Sequence, residues 1–272
     1  MNQLPVSALG TLIALGGGDD DVLLSLLCDL LPSREAPIEI ITTASSEPHD
    51  TAKAYEQALR DLGCATSHHL HIDAHHPADA PATLRRLART KVVFFTGGDQ
   101  ERIVEFLRGT EFLRQLQHRF RTEPDFLIAG TSAGAAVLSD FMLVDGYGWR
   151  ALRKGGIKTT AGLELLPKLL IDQHFVERGR FGRLAHAVLA HPMCLGLGLS
   201  EETGLIIRGG TEAEVFGDGV VMVVDGSRQR GNNLGRIGRG EPVSGLDLRV
   251  HLLVAGQRLH LPSRQVRETQ PE

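Results

Sequence analysis

The sequence contains no apolar run that approaches the roughly 18 residues needed for a membrane-spanning helix. It also lacks an excess of positive charge, because 29 Lys and Arg stand against 33 Asp and Glu, for a formal net charge of −4. A global basic field that would hold nucleic acid or an anionic membrane is therefore excluded. Residues 1–18 lack the basic start of a signal peptide and run into a Gly-rich turn, so we interpret them as a first strand. We therefore expect a cytoplasmic protein.

Cysteine is scarce, with Cys28, Cys64 and Cys194 far apart in the chain. Each lies in an apolar or helical stretch, so we interpret all three as small buried hydrophobic side chains and expect no disulfide framework. What the chain does have is 42% apolar and 23% charged residues over 272 positions. That composition is enough to bury a sizeable core, in one large α/β domain or two small ones.

Short apolar runs of strand length alternate with amphipathic runs of helical spacing. The predicted strands are 11–15, 38–41, 70–72, 91–95 and 126–129, and the predicted helices are 21–31, 49–62, 82–89, 101–107, a further helix up to 118, and 133–139. Because the strand runs are apolar throughout, this alternation predicts a mostly parallel sheet covered by helices on both faces.

The pattern changes after residue 195, where short strands are separated by Gly-rich turns. The runs 205–208, 213–216 and 220–225 predict antiparallel hairpins, and 248–261 is expected to add a final strand pair. No linker, repeat or low-complexity block is present. We therefore predict one domain over 1–272, an α/β fold with a C-terminal antiparallel extension.

A candidate nucleophile is Ser132, in the segment Gly130-Thr131-Ser132-Ala133-Gly134, which fits the G-x-S-x-G pattern. An apolar strand precedes the segment and a helix follows it, the context in which this pattern places a serine at the apex of a sharp turn. The Ala133 N–H then points into the same space and is a candidate oxyanion donor. The alternative is a tight turn in which Ser132 only caps the helix.

A second Gly-rich turn follows the strand 91–95, at Gly97-Gly98. Glycine allows backbone to approach a substrate closely, and the helix start supplies N–H groups, so Gly97 or Gly98 is the other candidate oxyanion donor. The alternative is a plain strand-to-helix turn with Asp99 as N-cap.

The candidate base is His174, which follows the apolar run 169–171 and therefore lies at a predicted strand end, where a sheet presents catalytic groups. An acid is needed to orient it, and both Glu201 and Glu202 follow the strand-like run 195–199. The alternative for His174 is a histidine in an ordinary surface loop. The alternative for Glu201 and Glu202 is a solvated acidic turn. The order Ser, His, Glu also differs from that of the α/β-hydrolases, so that fold is not assigned.

Two further clusters of polar residues stand out. Arg178, Arg180 and Arg183 follow His174 closely and are able to clamp a carboxylate, although a solvated basic turn is the alternative. The histidines at 68, 69, 71, 75 and 76 suggest a metal site with Asp73, but strand alternation would split them between two faces. We favour an exposed strand and loop, and predict no metal site.

These segments together resemble the cyanophycinases, serine peptidases of family S51. The resemblance is carried by TTASSEP at 42–48, FFTGGDQ at 94–100, AGTSAGAAV at 129–137, IDQHFVERGRFGRL at 171–184 and LGLSEETGLII at 197–207. The fourth segment, with its three arginines, is the most specific, because it separates cyanophycinases from the simpler aspartyl dipeptidases of the family.

The resemblance implies a class I glutamine-amidotransferase-like (flavodoxin-like) fold, a homodimer and no cofactor. It implies a Ser132–His174–Glu201 triad, with Glu201 preferred over Glu202. The substrate-pocket residues that it implies are Gln100, Asp172, Gln173, Arg178, Arg180 and Arg183. The implied substrate is cyanophycin, a poly-aspartate with arginine on each β-carboxyl, cleaved to β-Asp-Arg dipeptides.

The sequence departs from the family pattern in three places. Gly16-Gly17-Gly18-Asp19-Asp20 replaces the usual Gly-Gly, small residue, Glu-Asp; Ser200 stands where Asp is common; and 149–160, which we expect to overhang the site, has no clear match. The side-chain preference therefore stays open. Two other functions remain open: an aspartyl or isoaspartyl dipeptidase, and a protein that binds an anionic ligand at the arginines without catalysis.

Overall fold

Two large β-sheets and their helices make up residues 8–267, the part of the chain that this computed structural model describes. The strands are β1 (Thr11–Leu15), β2 (Ile38–Ile41), β3 (Ser67–His69), β4 (Val92–Phe95), β5 (Leu127–Thr131), β6 (Ser139–Asp145), β7 (Lys158–Ala161), β8 (Leu166–Asp172), β9 (Leu195–Leu199), β10 (Thr203–Arg208), β11 (Glu212–Gly217), β12 (Val221–Asp225), β13 (Gly231–Asn232), β14 (Gly245–Leu246), β15 (Arg249–Leu253), β16 (Arg258–His260) and β17 (Gln265–Arg267). The helices are α1 (Asp21–Leu30), α2 (Pro48–Asp61), α3 (Pro81–Arg89), α4 (Gln100–Leu107), α5 (Glu111–Thr122), α6 (Ala133–Ala136) and α7 (Phe181–Ala190), with a 3₁₀ turn at Gly148–Leu152.

The larger sheet has nine strands in the order β17-β16-β11-β10-β1-β5-β4-β2-β3. Its central part, β1-β5-β4-β2-β3, is parallel, whereas β10, β11, β16 and β17 continue it antiparallel. The predicted α/β fold, with a parallel sheet and an antiparallel C-terminal extension, is confirmed. All five parallel strands present their carboxyl ends at one edge, where ligands bind in open α/β sheets.

A second sheet of six strands, β15-β12-β9-β8-β6-β7, was not predicted. Within it, β6, β8 and β9 are parallel neighbours, and the remaining strands are antiparallel. The chain passes from the first sheet to the second through α6, and it returns at residues 200–202, between β9 and β10. Side chains from both sheets share one apolar core.

Burial on both faces explains the continuous apolar strands of the sequence. In β1, Leu12 and Ala14 face the core shared by the two sheets, whereas Ile13 and Leu15 face the core formed with α1. The helix α7 covers the outer face of the six-stranded sheet, where Leu184 packs in a third core. Because successive side chains in a strand point to opposite faces, only an apolar run fits a strand that is covered on both.

Three local predictions are wrong. The third strand ends at His69, and Leu70 and Ile72 pack into the core from the loop that follows. Their apolar pattern therefore reflects burial and not strand pairing. The predicted helix 133–139 ends at Ala136, and β6 begins at Ser139. The predicted final strand pair is not a pair, because β15 and β16 belong to different sheets.

The expectation for the cysteines is correct in part. All three side chains are buried, as predicted, but the structure joins Cys28 to Cys64 by a disulfide and leaves Cys194 free. Sequence separation did not reveal this pair, because Cys28 in α1 and Cys64, three residues after the end of α2, approach each other only in the tertiary fold, with Cα atoms 6.4 Å apart.

The start of the chain is described from Ala8, so the part of the predicted first strand over residues 1–7 lies outside the described residues. Within residues 8–267, no helix combines the length and the apolar character needed to cross a bilayer.

Candidate active site

Ser132 occupies the turn between β5 and α6 and has a backbone φ of 51°, a conformation that non-glycine residues rarely adopt. The flanking glycines make this turn possible. A Cβ at Gly130 would lie 2.3 Å from the Gly134 carbonyl oxygen, and a Cβ at Gly134 would lie 2.1 Å from the Phe95 carbonyl oxygen. The Ser132 side chain makes no capping hydrogen bond to α6, so the alternative of a mere helix cap does not hold.

The Ser132 hydroxyl instead meets an imidazole from the other sheet. Its Oγ lies 2.8 Å from Nε2 of His174, which follows β8, and Nδ1 of His174 lies 2.5 Å from Oε1 of Glu201. Glu201 stands in the connection that returns from the second sheet to the first. The three predicted residues are thus brought together in one hydrogen-bonded line, and Glu202 is not part of it.

The glycine turn after β1 forms backbone hydrogen bonds with the segments that carry His174 and Glu201. The Gly16 carbonyl accepts from the His174 N–H (2.8 Å), and the Gly17 carbonyl accepts from the Glu202 N–H (2.7 Å). A Cβ at Gly17 would lie 2.4 Å from the imidazole of His174, and one at Gly18 would lie 2.9 Å from the Cβ of Glu201. The role of this turn was not predicted, although three consecutive glycines at the end of a strand were the available signal.

A half-buried carboxylate contacts the residue before Ser132. Asp20 accepts a hydrogen bond from the hydroxyl of Thr131 (2.6 Å), the residue before Ser132, and another from the Tyr55 hydroxyl. Burial raises the pKa of Asp20 above its ordinary value. Sequence patterns did not identify this contact, because Asp20 and Thr131 are separated by 111 positions.

The two candidate glycines after β4 have different surroundings. A Cβ at Gly97 would lie 3.9 Å from the Ser132 Oγ, whereas one at Gly98 would meet the Ala44 carbonyl oxygen at 2.1 Å. Of these two glycines, Gly97 is therefore the one that faces the serine hydroxyl. Ala133 begins α6 directly after Ser132. The side chain of Asp99 does cap α4, so the N-cap alternative is correct for that residue.

The three arginines do not form a uniform clamp. Arg183 is 2% exposed, and its guanidinium binds both carboxylate oxygens of Asp172, which is 1% exposed. Arg180, also buried, donates to the side-chain oxygen of Gln173 (2.7 Å) and lies 3.4 Å from the same carboxylate. Arg178 is exposed. One buried negative charge therefore faces two buried positive charges.

This cluster retains one unused donor. Among the described residues, the Arg180 Nε is the one buried side-chain polar atom without a hydrogen-bond partner. Burial lowers the pKa of the Arg180 guanidinium. A buried donor on a cation is costly when it is left unpaired, so Arg180 adds an incompletely satisfied positive charge to this cluster.

The two glutamines link the cluster to the second sheet. Gln100, at the start of α4, donates to the Leu143 carbonyl oxygen (2.9 Å) and accepts from the Gln173 amide (3.4 Å). All six residues that the resemblance assigned to a pocket are thus placed: five are buried in one network, and Arg178 lies outside it.

Asp172→Asn is expected to lower the free energy of unfolding by about 3–5 kcal/mol, because it leaves Arg183 buried without its counter-charge. Urea unfolding at neutral pH measures the change. Asp172→Asn combined with Arg183→Met should recover much of the loss, and Arg178→Gln, at an exposed position, should cause little change. An Asp172→Asn protein as stable as the wild type would show that the ion pair is dispensable.

Known proteins are similar to this chain in sequence and in fold. Proteins named cyanophycinase are similar over most of the chain: one from Synechococcus elongatus is 34% identical, covering 94% of this chain and 81% of that protein. Another from Trichormus variabilis is 32% identical, covering 97% and 90%. A crystal structure of a peptidase from an acI-B1 Actinobacterium superposes with a TM-score of 0.69 at 22% identity, covering 93% of this chain and 98% of that one, which shows a shared fold.

A sequence model of one family covers the parallel strands of both sheets and the whole candidate site. It is described as Peptidase family S51, and it matches residues 11–215, from the start of β1 into β11. That range contains the glycine turn, Ser132, His174, Glu201 and the arginine cluster. The chain is therefore a peptidase and belongs to family S51.

Proposed function

We propose that this peptidase hydrolyses cyanophycin through a Ser132–His174–Glu201 triad and releases β-Asp-Arg dipeptides. The observation that carries the proposal is the continuous line of hydrogen bonds, 2.8 Å from Ser132 Oγ to His174 Nε2 and 2.5 Å from His174 Nδ1 to Glu201 Oε1. Serine is a weak nucleophile until a base accepts its proton, and this geometry supplies the base and its orienting acid.

In the proposed mechanism, Ser132 Oγ attacks the scissile carbonyl carbon while His174 Nε2 accepts the hydroxyl proton. The N–H groups of Ala133 and Gly97 stabilise the oxyanion, and Gly97 is chosen over Gly98 because it faces the serine. His174 then gives the proton to the leaving amine. Water, deprotonated by His174, cleaves the acyl-enzyme and restores Ser132.

The charge of the arginine cluster supports a substrate that carries carboxylates. Asp172 compensates one of two buried guanidiniums, and Arg178 adds another positive charge nearby. Each arginine unit of cyanophycin carries a free α-carboxylate. We propose that the exposed guanidinium of Arg178 receives it, with the buried positive charge of Arg180 behind it, because a guanidinium forms strong hydrogen bonds to carboxylates.

The other pocket residues have a different role in this proposal. Asp172 accepts from Arg183 with both oxygens and is fully occupied, so it orients the cluster and does not contact the substrate. Gln100 and Gln173 hold the cluster against β6. Tyr147, 59% exposed, lies with its ring 6.0 Å from the Arg183 guanidinium and is a contact for the substrate side chain. The homodimer implied by the resemblance stays a prediction.

Incubation with insoluble cyanophycin, followed by mass analysis of the released products, tests the function. The wild type should release β-Asp-Arg, and Ser132→Ala should slow the release by about 10⁶-fold, the loss typical of removing the nucleophile of such a triad. Cleavage of aspartyl or isoaspartyl dipeptides but not of the polymer would indicate the dipeptidase alternative. Binding of the polymer without product from either protein would indicate a non-catalytic binding protein.

Glu201→Gln and Glu202→Gln form a matched pair of substitutions at neighbouring carboxylates. An amide at position 201 can donate to His174 Nδ1 and so favours the tautomer with its proton on Nε2, which cannot accept the serine proton. We expect kcat to fall by about 10⁴-fold for Glu201→Gln. Glu202→Gln should be as active as the wild type, because its exposed side chain is outside the triad. Equal losses in both variants would remove Glu201 from the mechanism.

A further inference from the structure

A second group of polar side chains lies at the same edge of the nine-stranded sheet, beyond β3. His71, Asp73 and His76 bring one ligand atom each within 4.8 Å of one another. The cluster follows the carboxyl end of the edge strand β3, three strands from β5 and hence about 14 Å along the sheet from the serine turn. It is separate from the triad and the arginine network, and the function proposed above does not use it.

The carboxylate of Asp73 is held in place before any ligand arrives. Its Oδ1 accepts from the backbone N–H groups of His75 and His76, each at 2.8 Å. The backbones of Asp73 and His76 also exchange hydrogen bonds, both 3.2 Å long. These contacts fix the turn 73–76 and orient the second oxygen, Oδ2, towards His71 Nε2 at 2.9 Å.

The spacing of the ligand atoms fits a small cation. His71 Nε2 lies 2.9 Å from Asp73 Oδ2, and His76 Nδ1 lies 2.8 Å from Asp73 Oδ1. In a tetrahedral zinc site with bonds of about 2.0–2.2 Å, neighbouring ligand atoms are about 3.3 Å apart, so shifts of less than about 1 Å would suffice. Two imidazoles and a carboxylate are ligands that suit zinc, and they exclude a preference for calcium or magnesium.

The surroundings of His71 resemble the outer layer of a metal site. Its other ring nitrogen, Nδ1, lies 3.4 Å from His69 Nε2, which in turn lies 2.8 Å from the Thr42 hydroxyl. The ring of His49, at the start of α2, stacks on that of His71 with the planes 8° from parallel. Partners of this kind fix the ring orientation of a ligating histidine. The nearby cation Arg86 is paired with Glu39 and does not oppose a metal ion.

We propose that His71, Asp73 and His76 bind a divalent zinc-type cation, with the fourth position left to water. This reverses the interpretation made from the sequence, which assumed that strand alternation would separate the histidines. The strand ends at His69, so alternation does not apply to His71 and the residues after it. The cation would stabilise the loop between β3 and α3 and would not take part in the peptidase reaction.

The test uses tag-free protein stripped with a chelator and titrated with ZnCl₂ in a calorimeter. The wild type should bind one equivalent, and His71→Gln and His76→Gln should each weaken the binding by about 10- to 100-fold or more. His75→Gln is the matched control, since its side chain lies outside the cluster, and it should bind as the wild type does. Zinc should raise the Tm of the wild type and of His75→Gln, but not of the two ligand variants.

Two results would overturn the proposal. One is the absence of a stoichiometric binding event, or equal binding by the wild type and the His71→Gln/His76→Gln double variant. The other is loss of the event in His174→Gln, which would place the ion at the triad. His76, whose side chain is 59% exposed, tolerates substitution best, so His76→Gln decides the test if His71→Gln does not fold.

Discussion

The turn Gly16-Gly17-Gly18 is the constraint on which the candidate site depends. It ends the central strand β1, and its backbone carbonyls bind the chain at His174 and at Glu202. The Leu15 carbonyl, just before it, accepts from the Ser132 N–H at 3.0 Å. One short segment therefore binds the backbone at Ser132, at His174 and at the residue next to Glu201. A side chain at Gly17 would occupy the space of the imidazole, which is why a residue without Cβ is required there.

The triad also depends on how the two sheets pack. Ser132 follows a strand of the nine-stranded sheet, His174 follows a strand of the six-stranded sheet, and Glu201 lies on the connection between them. The core shared by the sheets sets the distance between serine and imidazole, since packed interiors deform little. Asp172, two residues before His174 in the chain, pairs with Arg183 and so fastens α7 to the end of β8 in the same region.

Sequence reasoning predicted the parallel half of the fold well because its signals are local. Apolar runs such as 92–95 fit strands buried on both faces, and Gly63 follows the end of α2 with a positive φ, as a helix-ending glycine does. Strand ends and family motifs also identified Ser132, His174 and Glu201 as candidate site residues. The roles of these residues in the reaction stay predictions.

What the sequence did not reveal depends on contacts between distant segments. Strand composition does not say which sheet a strand joins, so the second sheet and the separation of β15 from β16 were missed. The pairing of Asp20 with Thr131 and the disulfide are likewise contacts that only the tertiary fold creates. The arginines were visible, but the pairing of Arg183 with Asp172 was not, because charge pairing depends on burial and orientation.

The most direct measurement of the central claim compares kcat/KM for Gly17→Ala and Gly63→Ala. Both glycines have a positive φ, 99° and 83°, so the backbone penalty is matched, but a Cβ at Gly63 would meet no atom within 4 Å. We expect Gly17→Ala, still folded, to lose about 10²-fold or more of its kcat/KM because the imidazole is displaced, whereas Gly63→Ala should stay close to the wild type. A Gly17→Ala enzyme as active as Gly63→Ala would contradict this claim.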